Sequence, residues 1–149
     1  MTKLLLMMVT VFVSTLPGIA AAQGRNASQR AAKQTLWAAM SVQNPVIPKN
    51  RINDLTLTFA IVNDGDSTVN PGVAKSHLYI NGVELKQWEF INTNGPHTTR
   101  HTALPPGKAL EFSCGCGQYF SKPGVYTLKW YGDGFKASNL TFRVLAGDL

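Results

Sequence analysis

From Asp54 onward, apolar and polar residues follow each other with a period of two. Leu55, Leu57, Phe59 and Ile61 are interleaved with Thr56, Thr58, Ala60 and Val62. This alternation predicts an amphipathic strand, closed by the turn Asn63-Asp64-Gly65-Asp66. Leu78 and Ile80 lead into Asn81-Gly82, and Val83 and Leu85 follow it. An Asn-Gly pair between apolar residues predicts a two-residue hairpin, because a type I′ turn needs positive φ at both central positions. Trp88, Phe90 and Ile91 read as an extension of the returning strand, and residues 92–102 as a long polar loop containing Gly95 and Pro96. After the turn Pro105-Pro106-Gly107, Leu110, Phe112 and Cys114 share one face of a strand while Ala109, Glu111 and Ser113 take the other. Beyond Pro123-Gly124, Tyr126, Leu128 and Trp130 point one way, and after Gly132-Asp133-Gly134 so do Leu140, Phe142 and Val144. Six or more strands with turn punctuation and no later helical period predict an all-β fold, a single antiparallel β-sandwich.

Upstream of Asp54 the pattern is different. Residues 28–40 are rich in Ala and long side chains, with Ser28 as an N-cap, and read as a short helix. Trp37 and Met40 read equally well as part of a first strand running into Ser41-Val42-Gln43. Pro45 and Pro48 then end regular structure. At the start of the chain, Lys3 precedes an apolar run from Leu4 to Val13, a Pro17-Gly18 break and the small-residue site Ala20-Ala21-Ala22. Charge, apolar core and cleavage site in that order are the pattern of a secretory signal peptide. The run is shorter than the roughly 20 apolar residues that span a bilayer, so no stable membrane insertion is expected. The expected organisation is a cleaved signal peptide over residues 1–22, an N-terminal segment over 23–53 and the sandwich over 54–149. The expected location is secreted or periplasmic.

Charge and cysteine content narrow the function. The chain has 14 basic and 8 acidic residues; removing Lys3 leaves 13 against 8, a mature charge of about +5. The basic residues are scattered rather than run together, which argues against a nucleic-acid partner. Two cysteines, Cys114 and Cys116, are too few for a disulfide scaffold, so stability must come from the core.

Four segments carry a family likeness. Leu57-Thr-Phe-Ala-Ile-Val-Asn63-Asp-Gly65, Leu78-Tyr-Ile-Asn-Gly-Val-Glu-Leu85, Leu104-Pro-Pro-Gly-Lys-Ala-Leu-Glu-Phe112 and Pro123-Gly-Val-Tyr-Thr-Leu-Lys-Trp130 resemble bacterial immunoglobulin-like modules. Both exported adhesion-type domains and small proteinase-inhibitor domains fit. The likeness covers roughly Leu55 to Val144 and implies an immunoglobulin-like sandwich. Within it, Gly124-Val-Tyr126-Thr-Leu128 matches the tyrosine corner, in which a hydroxyl returns to backbone at the start of the penultimate strand. Leu128 stands where many such domains place a cysteine, and aliphatic packing against Leu57 or Phe59 is expected in place of a disulfide.

Ser113-Cys114-Gly115-Cys116-Gly117 is the one motif with chemical promise. Cysteines at i and i+2 of a strand point to the same face, so a small disulfide ring is one reading, structural or redox-active. A soft-metal site built from Cys114, Cys116, His97 and His101 is another, although its spacing is not a standard one. Neither Gly-x-Ser-x-Gly nor His-Glu-x-x-His is present, and no carboxylate pair stands out as acid and base. Trp37, Trp88 and Trp130 are read as core residues ahead of an aromatic binding face. The expectation is therefore an exported, non-enzymatic binding or accessory protein without a cofactor, meeting a protein or cell-envelope partner through loops or a strand edge. The alternatives are a periplasmic metal or redox protein using Cys114 and Cys116, and a proteinase inhibitor whose loop 92–102 enters a protease cleft. The exported protein is expected to begin at or near Gln23. Intact mass of material recovered from outside the cytoplasm checks this, and a mass retaining residues 1–22 would refute it.

Overall fold

Leu57, Phe59 and Ile61 have no exposed surface, and the alternation that buries them builds the centre of the fold. A computed structural model describes residues 35–93 and 97–147, with only the backbone described for Phe90 and Thr93. The expected signal peptide, the helix reading over residues 28–34 and Pro96 lie outside the described residues.

Among the described residues, nine strands form two sheets: β1 Leu36–Val42, β2 Val46–Pro48, β3 Thr56–Asn63, β4 His77–Ile80, β5 Val83–Glu84, β6 Ala109–Gly115, β7 Gly124–Gly132, β8 Phe135–Lys136 and β9 Leu140–Leu145. The first sheet is antiparallel in the order β1-β3-β6, with Trp37 opposite Val62 and Phe59 opposite Phe112. The second runs β2-β9-β7-β4-β5, with β8 paired to β7. All its pairings are antiparallel except β2 with β9, which is parallel. The inner faces meet in one apolar core, where Phe59 of the first sheet packs edge-on against Trp130 of the second at 5.0 Å between ring centroids. Two layers around one core make the chain an all-β sandwich.

The sandwich starts earlier than the Asp54 boundary expected from sequence, because β1 and β2 are both built into the sheets. Ala38, Ala39, Met40 and Ser41 have weak strand preference and hide the alternation. Pro48 is tolerated because β2 is the terminal strand of its sheet. A second correction falls after the Asn81-Gly82 hairpin. The turn has φ of 50° and 82°, as the dipeptide predicts, but the returning strand is only Val83–Glu84. Trp88–Thr93 is instead a short helix, α1. Trp88 and Asn92 are buried and Ile91 half-buried, a three- and four-residue spacing that puts all three on one helical face.

Of the three tryptophans, Trp88 and Trp130 are buried while Trp37 is 57% exposed on the outer face of β1. Aromatic residues do line the outside of the second sheet, but they are Tyr79, Tyr131 and His77, in contact across β4 and β7. The hydrogen bond to Tyr131, with lesser help from desolvation and the Glu84 charge, pushes the Tyr79 phenol up to about 12. Tyr126 Oη donates to Lys122 O at 2.7 Å, and its ring packs on Phe120 and Phe142.

The sharpest packing constraint lies where the 3-10 turn Gly117–Phe120 meets the 3-10 turn Lys49–Asp54. A Cβ on Gly117 would stand 2.0 Å from Ile52 O, so backbone would have to move to accept any side chain. Gly117→Ala is expected to destabilise the domain by at least about 2 kcal/mol. Urea denaturation at equilibrium measures it, and an unchanged midpoint would overturn this account of the contact.

Candidate functional site

The direction of each peptide group on β6 follows from two hydrogen bonds at its start. Asn63 N donates to Lys108 O and Gly107 N donates to Asn63 O, so Asn63 turns its backbone toward β6. By alternation Ile61, Phe59 and Leu57 do the same, and their partners Leu110, Phe112 and Cys114 complete the ladder. The groups of Ala109, Glu111, Ser113 and Gly115 therefore point away from β3. Arg100 Nη1 donates to Ala109 O at 2.9 Å, which fits that direction. Since β6 is the terminal strand of its sheet, the outward N–H and C=O groups of Glu111 and Ser113 have no strand beside them among the described residues.

Along this edge lies an open cavity of about 360 Å³. One part of its lining is β6 itself, Glu111 to Cys114, and the rest comes from α1 and the following segment through Ile91, Asn92, His97, Thr98 and His101. Folding thus brings together three of the residues singled out in sequence, His97, His101 and Cys114. Cys116 is adjacent but buried, 1% exposed, just past the end of β6. Tyr126 is not part of the cavity lining.

The two cysteines are joined in a disulfide. As a bridge they offer no thiolate, and among the described residues no group of three or more His, Cys, Asp or Glu converges as a metal site. The metal alternative therefore has no assembled ligand set in this oxidised form. As a staple the bridge is weak, because a loop this short restricts the unfolded chain by only about 1.5 kcal/mol in the chain-entropy model.

His97 and His101 meet edge to face at 4.5 Å between ring centroids, and His101 also lies near Phe112. His101 Nδ1 sits 3.1 Å from Thr98 N within a capping box of the 3-10 turn Thr99–His101. The same Nδ1 lies 3.2 Å from Thr98 O, so it accepts from the Thr98 N–H when it carries no proton and donates to Thr98 O when it does. Desolvation lowers the His101 pKa, the His97 charge lowers it further, and the Thr98 backbone opposes both.

Sequence reasoning missed Asn92 and Ile91. Asn92 is 8% exposed, and its Nδ2 donates to Val73 O at 3.3 Å. Its Oδ1 has no hydrogen-bond donor among the described residues, leaving a buried acceptor on a residue of the cavity wall. The helical spacing of Trp88, Ile91 and Asn92 was the available signal. The described part of the 92–102 segment is largely helical, in α1 and the 3-10 turn Thr99–His101, rather than the extended chain a protease cleft takes.

No protein-family model matches the chain, and no curated protein sequence matches it. Among solved structures it is similar to the CARDB domain of a Pyrococcus furiosus protein determined by solution NMR. That match has 17% identity and a TM-score of 0.44, covering 74% of this chain and 94% of the other. A crystal structure of the same domain, described as in complex with di-metal ions, matches at 18% identity and a TM-score of 0.46, over 74% and 93% of the two chains.

The lowered pKa of His101 has a consequence for stability. Between its folded pKa and the ordinary value near 6.5, the unfolded chain holds a proton that the folded chain does not. Stability from this group is full above pH 6.5 and is lost as pH falls through the folded pKa. Denaturation midpoints are expected to drop over that window, with a shallower drop in His101→Gln. Equal slopes would refute the assignment.

Proposed function

We propose that this chain is an exported, non-enzymatic binding module that takes up an extended polypeptide segment along the edge of β6. The observation that carries this reading is the row of outward-facing peptide groups at Glu111 and Ser113 beside the cavity. Such groups pair with another strand, while an adjacent cavity gives the added chain a place for a side chain. The lining suits one of mixed character: Ile91 and Phe112 supply apolar surface, and Thr98, Glu111 and Ser113 supply polar groups. The signal-peptide pattern of residues 1–22 supports export, where a protein or envelope partner would be met.

The test is selection of peptides from a displayed random library on the folded, disulfide-intact protein. Selected peptides are expected to lose binding when alternate backbone amides are N-methylated. Ser113→Pro removes one outward N–H without touching the ladder to β3 and should weaken binding at least about tenfold, or about 1.4 kcal/mol. Ser113→Ala keeps the N–H and should bind as the parent does. Equal binding by the proline variant, with its fold intact by circular dichroism, would overturn the proposal.

A further inference from the structure

The β6-edge reading leaves the Cys114–Cys116 bridge unused, and three observations give that bridge a role of its own. The first is its size: one residue separates the cysteines, so it constrains the unfolded chain less than almost any other disulfide. The second is the core around it, one cluster of buried residues running from Leu36 to Val144 to which the two cysteines add little apolar surface beside its many larger side chains. The third is asymmetry. Cys114 is half-buried and lines the open cavity, whereas Cys116 is 1% exposed and sits in the core. Access is one factor that decides which sulfur of a disulfide a thiolate attacks, and here it favours Cys114.

We infer that the Cys114–Cys116 pair is a thiol–disulfide exchange site, with Cys114 as the sulfur attacked and Cys116 as the leaving sulfur, accepting electrons from a dithiol in the cavity. A thiolate of the dithiol forms a bond to Cys114 Sγ, the Cys114–Cys116 bond breaks, and its electron pair goes to Cys116 Sγ, which takes up the proton the dithiol released on ionising. The second thiolate of the dithiol then attacks the dithiol's first sulfur, the one bonded to Cys114 in the mixed disulfide. That bond breaks toward Cys114 Sγ, which is protonated in turn. The dithiol ends as a disulfide and the cysteine pair as two thiols, so two electrons and two protons have moved. The size of the cavity, about 360 Å³, suits a small dithiol or the cysteine-bearing side chains of a peptide. The inference does not depend on strand addition at β6, since a small thiol needs only the cavity.

The experiment uses the folded mature protein and dithiothreitol without denaturant. The bridge is expected to open while the protein stays folded, read as two alkylated cysteines by mass spectrometry with an unchanged near-ultraviolet circular dichroism spectrum from the buried tryptophans. After reduction, a limiting amount of iodoacetamide should label Cys114 at least tenfold faster than Cys116. Cys116→Ser should form a mixed disulfide with oxidised glutathione at Cys114 at least tenfold faster than Cys114→Ser does at Cys116. Should a serine variant fail to fold, the labelling order in the parent protein decides alone. Reduction only in denaturant, or equal labelling of the two cysteines, overturns the inference. Either result leaves peptide binding at β6 to be judged by its own proline variant.

Discussion

One hydroxyl group holds the centre of this fold together. Ser76 Oγ accepts hydrogen bonds from Trp88 Nε1 and Trp130 Nε1, each at 3.0 Å, and donates to Val73 O at 2.7 Å. Both indoles are buried, and an unpaired buried N–H costs about 1–3 kcal/mol, so a single small side chain relieves two such penalties at once. The two tryptophans come from different elements, α1 and β7, while Phe59 of β3 touches both rings. Ser76 therefore fixes where α1 sits against the two sheets. A larger or apolar residue there would either crowd the rings or strand their donors.

The cavity inherits its shape from that arrangement. Asn92, one turn along α1 from Trp88, shares the hub by placing Nδ2 3.4 Å from Ser76 Oγ and 3.3 Å from Val73 O. This commits the amide nitrogen and leaves the oxygen without a partner among the described residues. The other buried side-chain polar groups of the described residues are satisfied. Asn63, fully buried, donates to Ser67 O and Leu104 O and accepts from Gly65 N. Against such bookkeeping, an orphan acceptor marks a place where local consistency yields to something other than stability. The strand edges show a similar contrast. β1 is bridged to Ala137 and β2 is short, whereas β6 is seven residues long and, among the described residues, the backbone groups on its outer edge receive one side-chain hydrogen bond, from Arg100 to Ala109 O.

Period-two alternation made β3, β6, β7 and β9 legible from sequence, because their inward residues are large and their outward ones polar or small. It failed where the side chains were uninformative or fitted two periods. Ala38, Ala39 and Ser41 carry little signal for β1, and Trp88, Ile91 and Asn92 suit a helix as well as the end of a strand. The cavity was legible only in part. Cys114, Cys116, His97 and His101 stand out by chemical type in any sequence, but Asn92 and Ser76 do not, since their importance lies in partners distant along the chain. The outward direction of the Glu111 and Ser113 peptide groups was also hidden. It depends on the register between β6 and β3, which is set by the paired hydrogen bonds at Asn63.

The unequal burial of the two cysteines comes from the packing around them rather than from the motif. Along β6, Cys114 keeps its place in the ladder opposite Leu57, at the terminal edge of the sheet and beside the cavity. Beyond Gly115 the strand ends and the chain turns into the segment Gly117–Phe120, where Gly117 backs onto Ile52 O too closely to carry a side chain. Tyr119 N closes that turn on Cys116 O at 3.1 Å, and Phe120 anchors it in the core against Phe142. Cys116 is drawn inward with the turn. Two cysteines one residue apart, which on a regular strand would be equally exposed, are thereby divided into an accessible sulfur and a shielded one.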